Sequence, residues 1–180
     1  LPALSGKPVQ VLIRRSLGSH LGATSIPQRK IYLDASVLAN RGEFERILVH
    51  ELFHFSWVRL SNAKRRAWED VLAGEIVKGV HGELGWSAEW RKNALRRKDR
   101  LLRTPRWRRY ACESFCDTAA WLYSGLRAHD EFTLSRRARA ANSRAKPWRV
   151  RTRFGCTSST SRRRSGKSAW SDSGKAASVR

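Results

Sequence analysis

Acidic side chains are scarce in this chain: 15 Asp and Glu stand against 37 Lys and Arg, for a formal net charge of +22 over 180 residues. Such a balance leaves the fold open, but it directs association toward polyanions such as nucleic acid, anionic membrane surfaces or acidic proteins. Cysteine is also scarce. Cys112 and Cys116 lie four apart in a helical pattern, where a disulfide would be strained, and only Cys156 remains. That pattern argues against a disulfide-stapled secreted domain. No run of about 18 apolar residues occurs, so no transmembrane helix is expected. Leu1-Pro2-Ala3-Leu4-Ser5 lacks the charged region and long apolar stretch of a signal peptide, which makes a cytoplasmic location the expectation. The first residue is not Met, as in a fragment or a processed product.

What is present is enough apolar material for one core: 41% of the residues are hydrophobic, which suits one domain followed by a tail. Charge divides the chain at the same place. Residues 1 to 130 carry 23 basic and 13 acidic side chains, and residues 131 to 180 carry 14 basic and 2 acidic, so the last fifty residues alone supply +12. Beyond about Arg136 no helical or strand periodicity survives. A segment of that composition cannot bury enough apolar surface to offset its ordering entropy, and residues 136–180 are therefore expected to be a disordered basic tail. Arg outnumbers Lys 28 to 9, and such a tail also arises from out-of-frame translation of a GC-rich gene.

Within residues 1–135, Val9, Val11 and Ile13 fall on alternate positions and predict a half-buried strand over residues 8–17, with a second short strand at Lys30–Asp34 after Pro27. After Asn40-Arg41-Gly42, apolar Phe44, Ile47, Leu48, Leu52 and Phe55 recur at three- and four-residue steps and predict a helix over about 43–60. Trp68, Val71, Leu72, Ile76 and Val77 predict another from near Ala63 to Gly79 or Gly82. Residues 87–110 are less regular, with ten Lys or Arg in 91–110 and a break at Thr104-Pro105. A further helix is predicted from Tyr110 to Ser124, capped by Gly125. The fold class is thus α+β: a small N-terminal sheet and a mainly helical remainder.

The chemistry concentrates in His50-Glu51-Leu52-Phe53-His54. Residues four apart share a helix face, so two imidazoles can meet one metal ion, and Glu51 stands beside the position of a metal-bound water as a general base. With five His and nine Glu in the chain, random placement yields this pattern with a probability of about 0.7%, which makes chance a weak explanation. A third ligand is needed. Trp57 and Leu60 occupy the positions where a metzincin continues with Gly and His, so that class is excluded. Glu113 and Asp117 instead share one face of the otherwise apolar segment Tyr110–Trp121.

These two motifs, H-E-x-x-H and E-x-x-x-D, resemble the gluzincin branch of zinc metallopeptidases, the zincins that include the thermolysin-like and neprilysin-like families. The resemblance covers roughly residues 8 to 130, and the 58 residues between His54 and Glu113 are nearer the neprilysin-like spacing. It implies a minimal zincin-like domain over 1–135, with Zn²⁺ bound by His50, His54 and Glu113, Glu51 activating the water, and Asp117 orienting His50 through its second ring nitrogen. It also implies a protease acting on a peptide or protein substrate, held by Lys30–Asp34 as the edge strand beside the cleft, through Ile31, Tyr32 and Leu33. Cys112 replaces the Asn that precedes the zinc Glu in thermolysin-like enzymes, and their Asn-Ala-x-Tyr strand pattern is absent.

Other residues compete for roles. His81, Glu75, Glu83 and Glu89 are rivals for the third ligand, although solvated helix-face charges are the ordinary reading of the carboxylates. Cys112 and Cys116 are soft donors whose ordinary reading is core filler. Oxyanion donors are offered by Tyr110, Tyr123, His81 and His129, with Tyr110 one turn before Glu113. Trp57, Trp68 and Trp121 have helical spacing with apolar neighbours and are expected in the packing. Two further function classes stand beside the hydrolase. Nucleic-acid binding is suggested by the basic run from Arg91 to Arg109 with Trp90 and Trp107 interleaved, against the ordinary reading of a solvated Arg-rich face. A non-catalytic zinc scaffold is the other, and Glu51 argues against it, because a structural site has no use for a general base.

Overall fold

Three short strands and five α-helices account for the regular structure of residues 6–134, which are the residues that the computed structural model describes. The expected tail, residues 136–180, lies outside them. The fold is mixed α+β, with the strands gathered in the first 34 residues. Strand β1 spans Gln10–Arg14, β2 Gly22–Ser25 and β3 Lys30–Asp34. Their order is β1-β3-β2, with β1 parallel and β2 antiparallel to β3.

Lys30–Asp34 is therefore the central strand, which corrects its assignment as the edge. Ile31 and Leu33 are fully buried in a cluster with Val37 of the following 3₁₀ turn and Phe55 of the first helix, and they cannot line a substrate cleft. Tyr32 points to the other face, where its hydroxyl donates to Gln28 and Arg14 lies over its ring. Val11 and Ile13 pair with Ile31 and Leu33, as their alternation predicts, but stay more than 40% exposed because β1 is an outer strand. Gly22–Ser25 carries no apolar alternation and gave no strand signal; it is a strand because β3 supplies its partners.

Helix α1 (Arg41–Trp57) begins where the Asn40 side chain accepts from the backbone N–H groups of Gly42 and Glu43. The Arg65 guanidinium of the next helix donates to the carbonyls of Trp57 and Val58 at its end. Helix α2 (Asn62–Val77) is capped by Ser61, and α3 (Trp86–Asn93) and α4 (Arg97–Leu102) divide the stretch that was irregular in sequence. Helix α5 (Pro105–Tyr123) starts with Thr104 as cap and Pro at its first position, and ends at Gly125, whose positive φ closes the last turn.

Helices α1 and α5 form the centre. Val49, Phe53 and Trp57 pack with Trp68 and Leu72 of α2 and with Tyr110, Ala111, Phe115, Cys116, Ala119 and Ala120 of α5. The ring centroids of Phe53 and Trp57 lie 5.9 and 5.1 Å from that of Phe115, and the Trp68 indole N–H donates to the Ala111 carbonyl.

Two buried carboxylates that sequence reading left in solvent belong to this interior. Glu83 accepts from the Tyr110 hydroxyl at 2.5 Å and the Ser114 hydroxyl at 3.2 Å and pairs with Lys92 at 3.1 Å; Glu75 is buried as well. Tyr110 is thus committed to Glu83 inside the core and is not an oxyanion donor.

A second ionic group joins α1 to the end of the described chain. Arg46, 3% exposed, binds Glu131 through both terminal nitrogens at 2.8 and 2.9 Å and also reaches Glu43, which pairs with His129. Burial pushes the Glu43 carboxyl up, but the bonds and charge of Arg46, with a smaller contribution from His129, outweigh it and hold it below its ordinary value. Glu43 therefore adds stability that is present above pH 4.5 and lost as pH falls through its folded pKa. Replacing Arg46 by Met keeps the bulk of the stem but leaves Glu131 without its bidentate partner, and urea denaturation is expected to show a loss of about 3 kcal/mol or more.

Candidate functional site

His50 and His54 occupy one face of α1, four residues apart, turned toward α5 at the floor of a cleft of about 540 Å³. The His50 Nδ1 lies 2.7 Å from Asp117 Oδ1, a buried bond in which the Nδ1–H donates to the carboxylate, the arrangement that in the neutral ring puts the lone pair on Nε2. That Nε2 is 3.2 Å from His54 Nε2 and 3.3 Å from Glu113 Oε2. His54 turns its other nitrogen to the Cys112 thiol at 3.5 Å.

Asp117 of α5, 3% exposed, is held from two other helices, α1 and α3. Its Oδ2 accepts from the Ser87 hydroxyl and from the Ala88 backbone N–H at the start of α3, and Ser87 also donates to Glu113 at 2.9 Å. Gly85 is required beside it, because a Cβ there would lie 2.5 Å from both carboxylate oxygens. Arg91 closes the outer side, 3.4 Å from Glu113 Oε1, and donates to the Ser87 carbonyl.

These neighbours set the charges. Burial alone would lower the basicity of His50, yet the charge and hydrogen bond of Asp117, followed by Glu113 and Glu51, raise it well above the ordinary imidazole value. For Glu113, burial pushes the carboxyl up, but the bond and charge of His50, then His54 and Arg91, hold it at about 2. The space between the two rings is thus arranged for positive charge.

Glu51 lies on the same helix, 6% exposed, and lines the cleft from the side of the sheet. The Thr24 hydroxyl of β2 donates to its Oε2 at 2.6 Å. Gly22 makes this approach possible: a Cβ at that position would sit 2.7 Å from Glu51 Oε1 and 2.8 Å from Ile47. The cleft runs between β2, with Gly22, Ala23 and Thr24, and α3, with Trp86, Ser87, Trp90 and Arg91.

The donor set suits a tetrahedral metal. With zinc-to-nitrogen or zinc-to-oxygen distances of 2.0–2.2 Å, neighbouring ligand atoms lie about 3.3–3.6 Å apart, and the two separations from His50 Nε2 are 3.2 and 3.3 Å. Cys116 is the rival third donor, and proximity favours it: among the described residues, the group at these histidines whose ligand atoms all lie within 4.8 Å of one another is His50, His54 and Cys116, without Glu113. The Cys116 thiol is fully buried, and burial, together with the neighbouring Cys112 and the charges of Glu113 and Asp117, raises its pKa well above the ordinary thiol value in the metal-free chain. Cys112 is the opposite case, its thiol lowered to about 6 chiefly by the bond from Cys116, against burial and with help from His54.

His50, Glu51, His54, Glu113 and Asp117, named from sequence, meet at one place; Ile31, Tyr32, Leu33 and Tyr110 do not reach it. Among the other donors weighed, His81 lies at the surface in a different cavity, His129 is paired with Glu43, and Tyr123 stacks on Phe53 at 5.6 Å. Thr24, Ser87, Arg91 and His20, which also lines the cleft, were not legible because nothing local marks them. No protein-family model matches the chain, and no curated protein or solved structure is significantly similar to it.

Gly22 and Gly74 make opposite forecasts for alanine substitution. Gly22→Ala forces β2 and Glu51 apart and should cost about 1–3 kcal/mol in denaturant unfolding. Gly74→Ala, inside α2 where an added methyl group meets nothing, should raise stability by about 0.5–1 kcal/mol.

Proposed function

We propose that this chain is a zinc-dependent hydrolase of the gluzincin type, acting on peptides or proteins. The observation that supports it most strongly is the approach of His54 Nε2 and Glu113 Oε2 to His50 Nε2, at 3.2 and 3.3 Å, in a cleft that Glu51 also lines. Zn²⁺ held by these three residues would supply a Lewis acid and lower the pKa of a coordinated water to about 7.

The rest of the chemistry belongs to the chain's own side chains. Glu51 takes a proton from the attacking water and returns it to the departing amine, the two tasks of a general base and acid at one carboxylate. Thr24 fixes that carboxylate through Oε2, and β2 and α1 pack closely enough at Gly22 to prevent it from swinging toward the sheet. Asp117 holds the His50 ring in the tautomer whose Nε2 carries a lone pair, and Ser87 and the Ala88 N–H hold Asp117 in turn.

Substrate fits the same cleft by its backbone. Among the described residues, strand β2 pairs only with β3, so its second edge faces the cleft and offers main-chain groups to an extended peptide, the part that the sequence assigns to Lys30–Asp34. Trp86 and Trp90 form the opposite wall and remove water from the bound segment.

Three variants test the reading. Glu51→Gln should keep one zinc per chain by elemental analysis and lower kcat on an unstructured protein substrate by about 100-fold or more. Glu113→Ala should lose the metal. Asp117→Asn, which no longer fixes the His50 tautomer, should weaken zinc binding about 10- to 100-fold in competition with a chromophoric chelator. Full peptidase activity in Glu51→Gln would refute the mechanism, and retained zinc without any turnover in the native chain would identify a scaffold instead.

A further inference from the structure

On the far side of α3 from the cleft lies a second cavity of about 320 Å³, between the end of α2 and the α3–α4 connection. Among the described residues, its polar lining is entirely cationic or neutral: His81, Lys92, Arg96, Arg97 and Arg100 reach it, and no carboxylate does. Lys92 is engaged by Glu83 and the Gly82 carbonyl, whereas Arg97 and Arg100 have no ion pair among the described residues. Over residues 91–110, ten basic side chains stand against Asp99 alone, and Asp99 is buried in bonds to Thr104 and the Arg96 N–H. A guanidinium cluster without counter-charges is a site for phosphate.

The helix that walls this cavity also carries exposed aromatic rings. Trp86 and Trp90 sit one turn apart on α3 and are 61% and 69% exposed, with Arg91 5.3 Å from the Trp90 ring. Trp107, which the sequence placed in the same group, is fully buried in the core and takes no part. Flat exposed indoles beside a cationic groove are the two elements of single-strand recognition, one holding the backbone and the other stacking unpaired bases. The chain's own tail is a poor occupant: residues 135–180 hold 14 basic and one acidic side chain, so they would bring like charge to like.

We infer that the α3–α4 face binds single-stranded nucleic acid, with phosphates at Arg97 and Arg100 and bases stacked on Trp90 and Trp86. This face shares Trp86 and Trp90 with the wall of the His50 cleft, whereas Arg97 and Arg100 line only the second cavity, so the binding measured through those two arginines is read without any reference to zinc or turnover. It also places the bound strand against α3, the helix whose first turn holds Asp117.

The test uses the full chain and a fluorescein-labelled oligothymidylate of about twenty nucleotides, followed by anisotropy at about 50 mM salt. Binding should weaken steeply with salt. Arg97→Gln with Arg100→Gln should reduce affinity at least about 10-fold and lower the salt slope by about 1.4, the share of two phosphates on a single strand. Trp90→Ala should weaken binding about 5-fold or more and spare duplex binding. All of these positions are on the surface, and unchanged thermal unfolding of the variants verifies that the fold persists. Native affinity in the double Gln variant would assign binding to the basic tail and overturn the inference. So would loss of binding to phosphatidylserine vesicles in that variant while oligonucleotide binding survives, since the face would then serve a membrane.

Discussion

The bond from His50 Nδ1 to Asp117 Oδ1 joins the two central helices, and much of the molecule is arranged so that it can exist away from water. A carboxylate as buried as Asp117 is costly unless its oxygens are occupied. One accepts from the His50 Nδ1–H of α1, and the other accepts from the Ser87 hydroxyl and the Ala88 N–H of α3. Gly85 gives up its side chain so that the chain can pass over the carboxylate. The aromatic contacts of Phe53, Trp57 and Trp68 with Phe115 hold α1 and α5 at the separation that this bond needs. Three helices therefore share one anion, and the orientation of His50 follows from all of them.

Helices α1 and α5 were legible because each carries its own periodicity and end signals, such as Asn40 before the first and Gly125 after the second. The five residues His50, Glu51, His54, Glu113 and Asp117 were legible because helical spacing fixes which side chains share a face. What failed were relations set by tertiary contact. Strand β2 is a run of small residues selected by the proximity of Glu51, so it lacks alternation, and its absence made Lys30–Asp34 look like an edge. Glu83 looked solvated because its partners, Tyr110, Ser114 and Lys92, are far from it or unmarked in the sequence. Tyr110 was misassigned for the same reason, since one turn along a helix gave it proximity to Glu113 but not direction.

Helix α3 has the most varied duties in the fold. Its first turn secures Asp117 and Glu113 through Ser87 and Ala88, its exposed face offers Trp86 and Trp90, and its last turn opens onto the cationic cavity. Any ligand at that cavity touches the helix that fixes the buried carboxylate. The two surfaces also have opposite electrostatic character: carboxylates at the cleft floor favour a cation, and guanidinium groups beyond α3 favour an anion.

The central claim is the identity of the donors that meet between His50 and His54. X-ray absorption at the zinc edge, on the full chain loaded with one equivalent of Zn²⁺, reads those donors directly. The account predicts a shell of nitrogen and oxygen at about 2.0–2.2 Å with the signature of two imidazoles and no sulfur. A sulfur shell at about 2.3 Å would contradict it, replacing Glu113 with Cys116 as the third donor.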